Sequence, residues 1–108
     1  MRVLVVDDDA AALEIRRLIL ERRGHMVTVA RESLEARVAF AEGCDVVVLD
    51  LRLPRVEDGL ALIREFRGVR IVVLCGNRGD LDGREEARMV STILEKPVRS
   101  EVLLAAIG

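Results

Sequence analysis

The sequence predicts an α/β domain in which a parallel sheet is covered by helices on both faces. Three observations predict it. Val3-Leu4-Val5-Val6, Val46-Val47-Val48-Leu49 and Ile71-Val72-Val73-Leu74 are short, fully apolar runs rich in β-branched residues. That is the pattern of central strands buried on both faces. Stretches of helical periodicity alternate with such runs along all 108 residues, which calls for crossover connections in a layered α/β fold. Finally, two runs end in acid: Val6 leads into Asp7-Asp8-Asp9, and Leu49 into Asp50. Parallel strands would bring both acidic ends out on one edge, in the crevice where open α/β sheets bind ligands.

The elements follow in order. Strand 2–6 leads to helix 10–23, with Asp9 as N-cap, Gly24 as stop, and Ala11, Ile15, Leu18 and Ile19 as its apolar stripe. Strand 26–30 precedes helix 33–42, with Leu34, Val38 and Ala41 inward and Gly43 ending it. Strand 45–49 runs into a loop over 50–57 and then helix 58–67, where Leu60, Ile63 and Phe66 recur at helical spacing before Gly68. Strand 69–74 runs into loop 75–83, which holds Gly76, Gly79 and Gly83 and is expected to be mobile. A weak helix over 84–90, strand 92–95 and helix 99–107, with Leu103, Ala106 and Ile107 apolar, complete five βα units in a single domain, 1–108.

Composition narrows the function. A net charge of −2 gives no electrostatic case for nucleic acid or an anionic membrane surface. The arginines are interspersed with glutamates, as in Glu14-Ile15-Arg16-Arg17, which reads as a solvated mixed-charge face. There is no Trp or Tyr to stack on single-stranded bases. Cys44 and Cys75 lack metal-ligand spacing and suit a reducing compartment. A strand beginning almost at Met1 leaves no room for a leader, and no apolar run is long enough to cross a bilayer. The cytoplasm is the expected location. Met26 and Met89 are expected to fill core gaps, and Cys44 to pack.

The expected carboxyl edge carries Asp7, Asp8 and Asp50, the Cys75 thiol and the Lys96 ammonium. Crowded carboxylates repel and raise one another's pKa unless a cation joins them. A hard divalent cation such as Mg²⁺ takes such oxygen ligands. Asp9 is expected only to cap. Carboxylates near Cys75 disfavour its thiolate, so it is expected to be inert.

With Val5-Val6-Asp7-Asp8-Asp9, Val48-Leu49-Asp50-Leu51-Arg52-Leu53-Pro54 and Lys96-Pro97 in this order, the chain resembles the receiver domain of bacterial two-component response regulators over essentially its whole length. The resemblance implies a flavodoxin-like doubly wound sheet of strand order 2-1-3-4-5. It implies that Asp50 is the phosphoacceptor. Asp8 and Asp50 would hold Mg²⁺ through side chains, Arg52 through its backbone carbonyl and Asp7 through a metal-bound water, while Lys96 would contact the phosphoryl group. The implied partners are a histidine kinase or phosphotransfer protein, and a downstream effector or output domain. The output face would be the fourth helix, fifth strand and fifth helix. A carboxylate is a competent nucleophile toward phosphorus, and phosphoryl transfer needs chiefly positioning and charge stabilisation.

Departures from the family pattern are also visible. Cys75 stands at the usual Thr or Ser position, a weak S–H donor in place of a hydroxyl. Ile93 replaces the usual aromatic, Met89-Val90 the usual Gly-Ala, and Pro54 to Gly59 is one residue longer. These keep open a degenerate, phosphorylation-independent receiver that acts as a binding module. A second alternative is a haloacid-dehalogenase-type phosphatase, for which Asp7-Asp8-Asp9 has the acid spacing. Ala11 lacks that family's hydroxyl, and the reading leaves Asp50 unexplained.

Overall fold

The computed structural model describes all 108 residues. The apolar runs form β1 (Arg2–Val6), β2 (Met26–Ala30), β3 (Val46–Asp50), β4 (Arg70–Cys75) and β5 (Thr92–Glu95). They make one parallel sheet of order β2-β1-β3-β4-β5. The helices are α1 (Ala10–Arg22), α2 (Ser33–Ala41), α3 (Val56–Glu65) and α4 (Ser100–Ile107). This is the flavodoxin-like order that the resemblance implies, and it makes the acid-bearing ends of β1 and β3 neighbours.

Strand alternation splits the core in two. Val3, Val5, Val46, Val48, Val72 and Leu74 pack on one face with Leu13 and Leu20 of α1 and Leu103 and Ile107 of α4. Leu4, Val6, Val47, Leu49, Ile71 and Val73 pack on the other with Ala36 of α2 and Leu60, Ile63 and Phe66 around α3. The period of two puts successive residues of one strand into different cores. No helix is long and apolar enough to cross a membrane.

Several expectations need correction. The α1 stripe is not Ala11, Ile15, Leu18 and Ile19: Ile15 is 59% exposed, and Leu13 and Leu20 are the buried residues. The α2 stripe is likewise rotated. Leu34 is 65% exposed and Val38 also faces solvent, while Ala36 is fully buried. Small alanines let α2 approach the sheet, and Phe40 stacks on Phe66 with ring centroids 4.1 Å apart. Aromatic stacking of this kind adds to area burial. Met26, on the edge strand, is 70% exposed rather than a gap filler, whereas Met89 does pack against the core.

Helix α3 begins two residues earlier than expected, at Val56, because the Asp58 carboxylate accepts the Arg55 N–H at 3.1 Å and closes the first turn. The expected loop 75–83 winds into a short 3₁₀ turn, Arg78–Leu81, and the helix expected over 84–90 is another, Glu85–Arg88. The Asn77 side chain accepts the Gly79 N–H at 2.9 Å and starts the first turn. Gly83, at φ +71°, breaks the chain between them. The glycine-rich loop is anchored rather than free, since Leu81 is buried and Arg78 donates to the Ile93 carbonyl at 3.1 Å. Glu86 of the second turn is buried against Arg64 of α3. The expected output face is therefore built of 3₁₀ turns, β5 and α4.

Candidate functional site

The β1 and β3 ends converge as the sequence requires. Val6 pairs in register with Leu49, so Asp7 follows one strand where Asp50 ends the other. Carboxylate oxygens of Asp7, Asp8 and Asp50 all lie within 4.8 Å of one another. Asp7 and Asp50 are buried, and Asp8 is exposed. Asp9 caps α1 through the Ala11 and Ala12 N–H groups, as expected, and its own N–H donates to Asp7 Oδ1 at 2.9 Å.

Lys96 reaches the cluster from the end of β5, with Nζ 2.9 Å from Asp50 Oδ2. Its backbone N–H donates to the Cys75 carbonyl at 2.8 Å, which extends the β4–β5 ladder and fixes the side chain's origin. The Lys96-Pro97 bond is cis. Burial pushes the Asp50 carboxyl above its ordinary range; the Lys96 hydrogen bond opposes that shift and the Asp7 charge adds to it. Burial acts on Asp7 in the same direction, but the Asp9 N–H, the Arg16 guanidinium and Lys96 outweigh it and hold Asp7 below the usual range.

Arg16 is the residue that sequence reasoning missed. It reaches from α1 to Asp7, its Nη1 donating to Oδ2. The signal was present: Leu13, Arg16 and Leu20 recur at three and four residues and so share one helix face. An arginine between two inward leucines needs a buried acid, and Asp7 is that acid. The expected repulsion among three carboxylates is thus answered by two cations.

The donor set fits a hard divalent cation. It consists of oxygens alone, it is negative overall, and the exposed Asp8 side leaves room for water ligands. Arg52 sits in the loop after Asp50, with its guanidinium 3.4 Å from Asp80 of the first 3₁₀ turn.

Cys75 does not join the acids. It is the last residue of β4, one beyond Leu74, which pairs with Asp50. Its side chain alternates into the other core. The thiol is 1% exposed and lies 3.8 Å from the Leu94 carbonyl. Burial pushes its pKa up, and the Glu95 and Asp80 charges reinforce this against Arg78. Since the thiolate is the reactive form, iodoacetamide at neutral pH should leave Cys75 unmodified in the folded protein and label it in denaturant. Rapid native labelling would show an open, activated thiol instead.

With the fold and the acid–ammonium cluster in place, comparison with known proteins assigns the chain. It belongs to the response regulator receiver domain family, whose model matches residues 3–108. Response regulator MprA of Mycobacterium tuberculosis is 42% identical over 69 residues, 63% of this chain and 30% of that protein. Transcriptional regulatory protein AruR of Pseudomonas aeruginosa is 37% identical over 90 residues, 75% of this chain and 36% of that protein. The chain thus spans about a third of the length of these relatives. A receiver domain from Clostridium thermocellum superposes with a TM-score of 0.86 at 31% identity, over 98% of this chain and 90% of that one. A CheY-like receiver from Methylobacillus flagellatus gives 0.87 at 29% identity, over 99% and 95%. The family is one of signalling domains.

Proposed function

We propose that residues 1–108 form a phosphoacceptor unit that takes a phosphoryl group onto Asp50 from a histidine kinase, a phosphotransfer protein or a small phosphodonor. The observation that carries this reading is the juxtaposition of three carboxylates within 4.8 Å with Lys96 on Asp50 at 2.9 Å. An Asp50 carboxylate oxygen attacks phosphorus as the bond to the donor's imidazole nitrogen breaks, and the imidazole keeps that electron pair. Lys96 turns from the carboxylate to the transferred oxygens and balances their charge. Asp8 and Asp50, with the Arg52 carbonyl, would hold Mg²⁺, and Asp7 would act through a bound water. The metal supplies charge neutralisation of the phosphoryl oxygens and orients them.

The protein acts as a signalling domain rather than a turnover enzyme, self-catalysing only its own phosphorylation and dephosphorylation. Its output travels through the 3₁₀ turns, β5 and α4 to an effector or attached domain. Cys75 buried at the usual hydroxyl position and Ile93 at the usual aromatic position make the relay atypical.

The test is intact mass after incubation with acetyl phosphate. A Mg²⁺-dependent gain of one phosphate is expected; no gain with any donor would favour a phosphorylation-independent binding module. Asp8→Asn removes a ligand from an exposed position, so it should weaken Mg²⁺ binding roughly tenfold or more, as loss of a charged oxygen ligand does, without unfolding the protein. Calorimetric or NMR titration measures this, and an unchanged affinity would remove Asp8 from the ligand set.

A further inference from the structure

We propose that Arg16 is the internal counter-ion of the acidic site and sets its affinity for divalent cations by competing with them for Asp7. The inference rests on the metal-assisted phosphoacceptor reading above. Helix α1 aims Arg16 at the sheet with the same face that buries Leu13 and Leu20. Its guanidinium takes Oδ2 of Asp7, and the Asp9 N–H takes Oδ1. Both oxygens of Asp7 are therefore engaged by the protein itself. Lys96 engages Asp50, whereas Asp8 forms no ion pair and faces solvent. Three carboxylates set against two cations leave one negative charge uncompensated. A divalent ion entering there brings more charge than the site lacks.

The consequence is specific to this geometry. A guanidinium stays protonated at any working pH and is held by directed hydrogen bonds, so the competition is permanent. Because Asp7 meets the ion through a bound water, that water must either displace Arg16 from Asp7 or share the carboxylate with it. In both cases the unit charge beside the site lowers affinity. In both cases α1 also feels the metal, because Arg16 belongs to α1. Without metal, the same ion pair keeps the buried Asp7 charge satisfied, since a buried charge that loses its partner is strongly destabilising. Arg16 is thus a positioning residue: it acts on the metal through Asp7.

Removing the charge should tighten Mg²⁺ binding. Arg16→Met is expected to bind Mg²⁺ roughly tenfold more tightly by NMR or calorimetric titration, the scale of a unit charge a few ångström away at a partly exposed site. Its metal-free melting temperature should fall, and Mg²⁺ should raise that temperature more than in the parent. Arg16→Gln, which keeps a hydrogen-bonding side chain without charge, should tighten binding in the same way and serves if the Met variant does not fold. Arg16→Lys should stay near the parent affinity, and Mg²⁺ should shift the Arg16 Nε–Hε resonance in the parent. Unchanged affinity in the Met and Gln variants, with Asp8→Asn still weakening binding, would overturn the role of Arg16 and leave the metal reading standing. Equal tightening in Arg16→Lys would overturn competition by charge. Unchanged affinity in Asp8→Asn would overturn the metal reading itself.

Discussion

Asp50→Asn should abolish the Mg²⁺-dependent gain of a phosphate by intact mass, with acetyl phosphate and with a phosphohistidine donor alike. The amide has the shape of the carboxylate but no nucleophilic oxyanion, so the covalent step has no starting atom. The loss should not reflect unfolding. Asp50 is buried at the end of β3, and burial disfavours its ionised form. A neutral Asn removes that cost, and Lys96, about a third exposed, can turn to water. The metal-free Asn variant should therefore match or exceed the parent in urea stability at neutral pH. Full labelling retained in a folded Asn variant would place the phosphoacceptor elsewhere.

Gly59→Ala should be the most damaging small substitution in the chain. Gly59 lies inside α3, where Ala is ordinarily favoured over Gly by about 1 kcal/mol. Here a Cβ would overlap the carbonyl, C and Cα of Leu51. Those are backbone atoms in the loop directly after Asp50, and the Leu51 N–H is bonded to the Leu74 carbonyl at 2.9 Å, so they cannot swing aside. Overpacking of this kind typically costs 1–3 kcal/mol, and overlap with backbone rather than a flexible side chain puts Gly59→Ala near the top, at about 3 kcal/mol. Overlap therefore wins over propensity. The segment that would shift joins Asp50 to Arg52, so the rate of phosphorylation should fall along with stability. Gly76→Ala is the control. It meets no atom within 4 Å and should stay within about 0.5 kcal/mol of the parent. Equal urea midpoints for the two variants would show that the loop yields freely.

Much of this was legible in the residues. Central strands buried on both faces are written as continuous β-branched runs, and no helix competes for that pattern. The acid at each strand end is legible for the same reason: only a carboxyl edge tolerates Asp immediately after four buried residues. Stripes were legible where one face is plainly apolar, as with Leu60 and Ile63 of α3 and Phe66 at its end, all buried. They were misread in α1 and α2. There the richest apolar stripe points outward, while the inward face carries an arginine in one case and alanines in the other. Hydrophobicity alone ranks Ile15 above Arg16 and Leu34 above Ala36; only the position of Asp7 and the closeness of the sheet reverse that order.

The sequence by itself determined the layered α/β architecture, the five parallel strands and the emergence of Asp7, Asp8 and Asp50 on one edge, because local pattern and strand direction decide them. The tertiary structure alone decided which face of α1 turns inward, that Arg16 neutralises Asp7, that Cys75 leaves the site for the core, and that 78–88 winds as 3₁₀ turns. Each of these depends on what stands opposite in space. A helix face, a buried charge or a short turn is stabilised by its partner, and residues distant in the chain supply that partner.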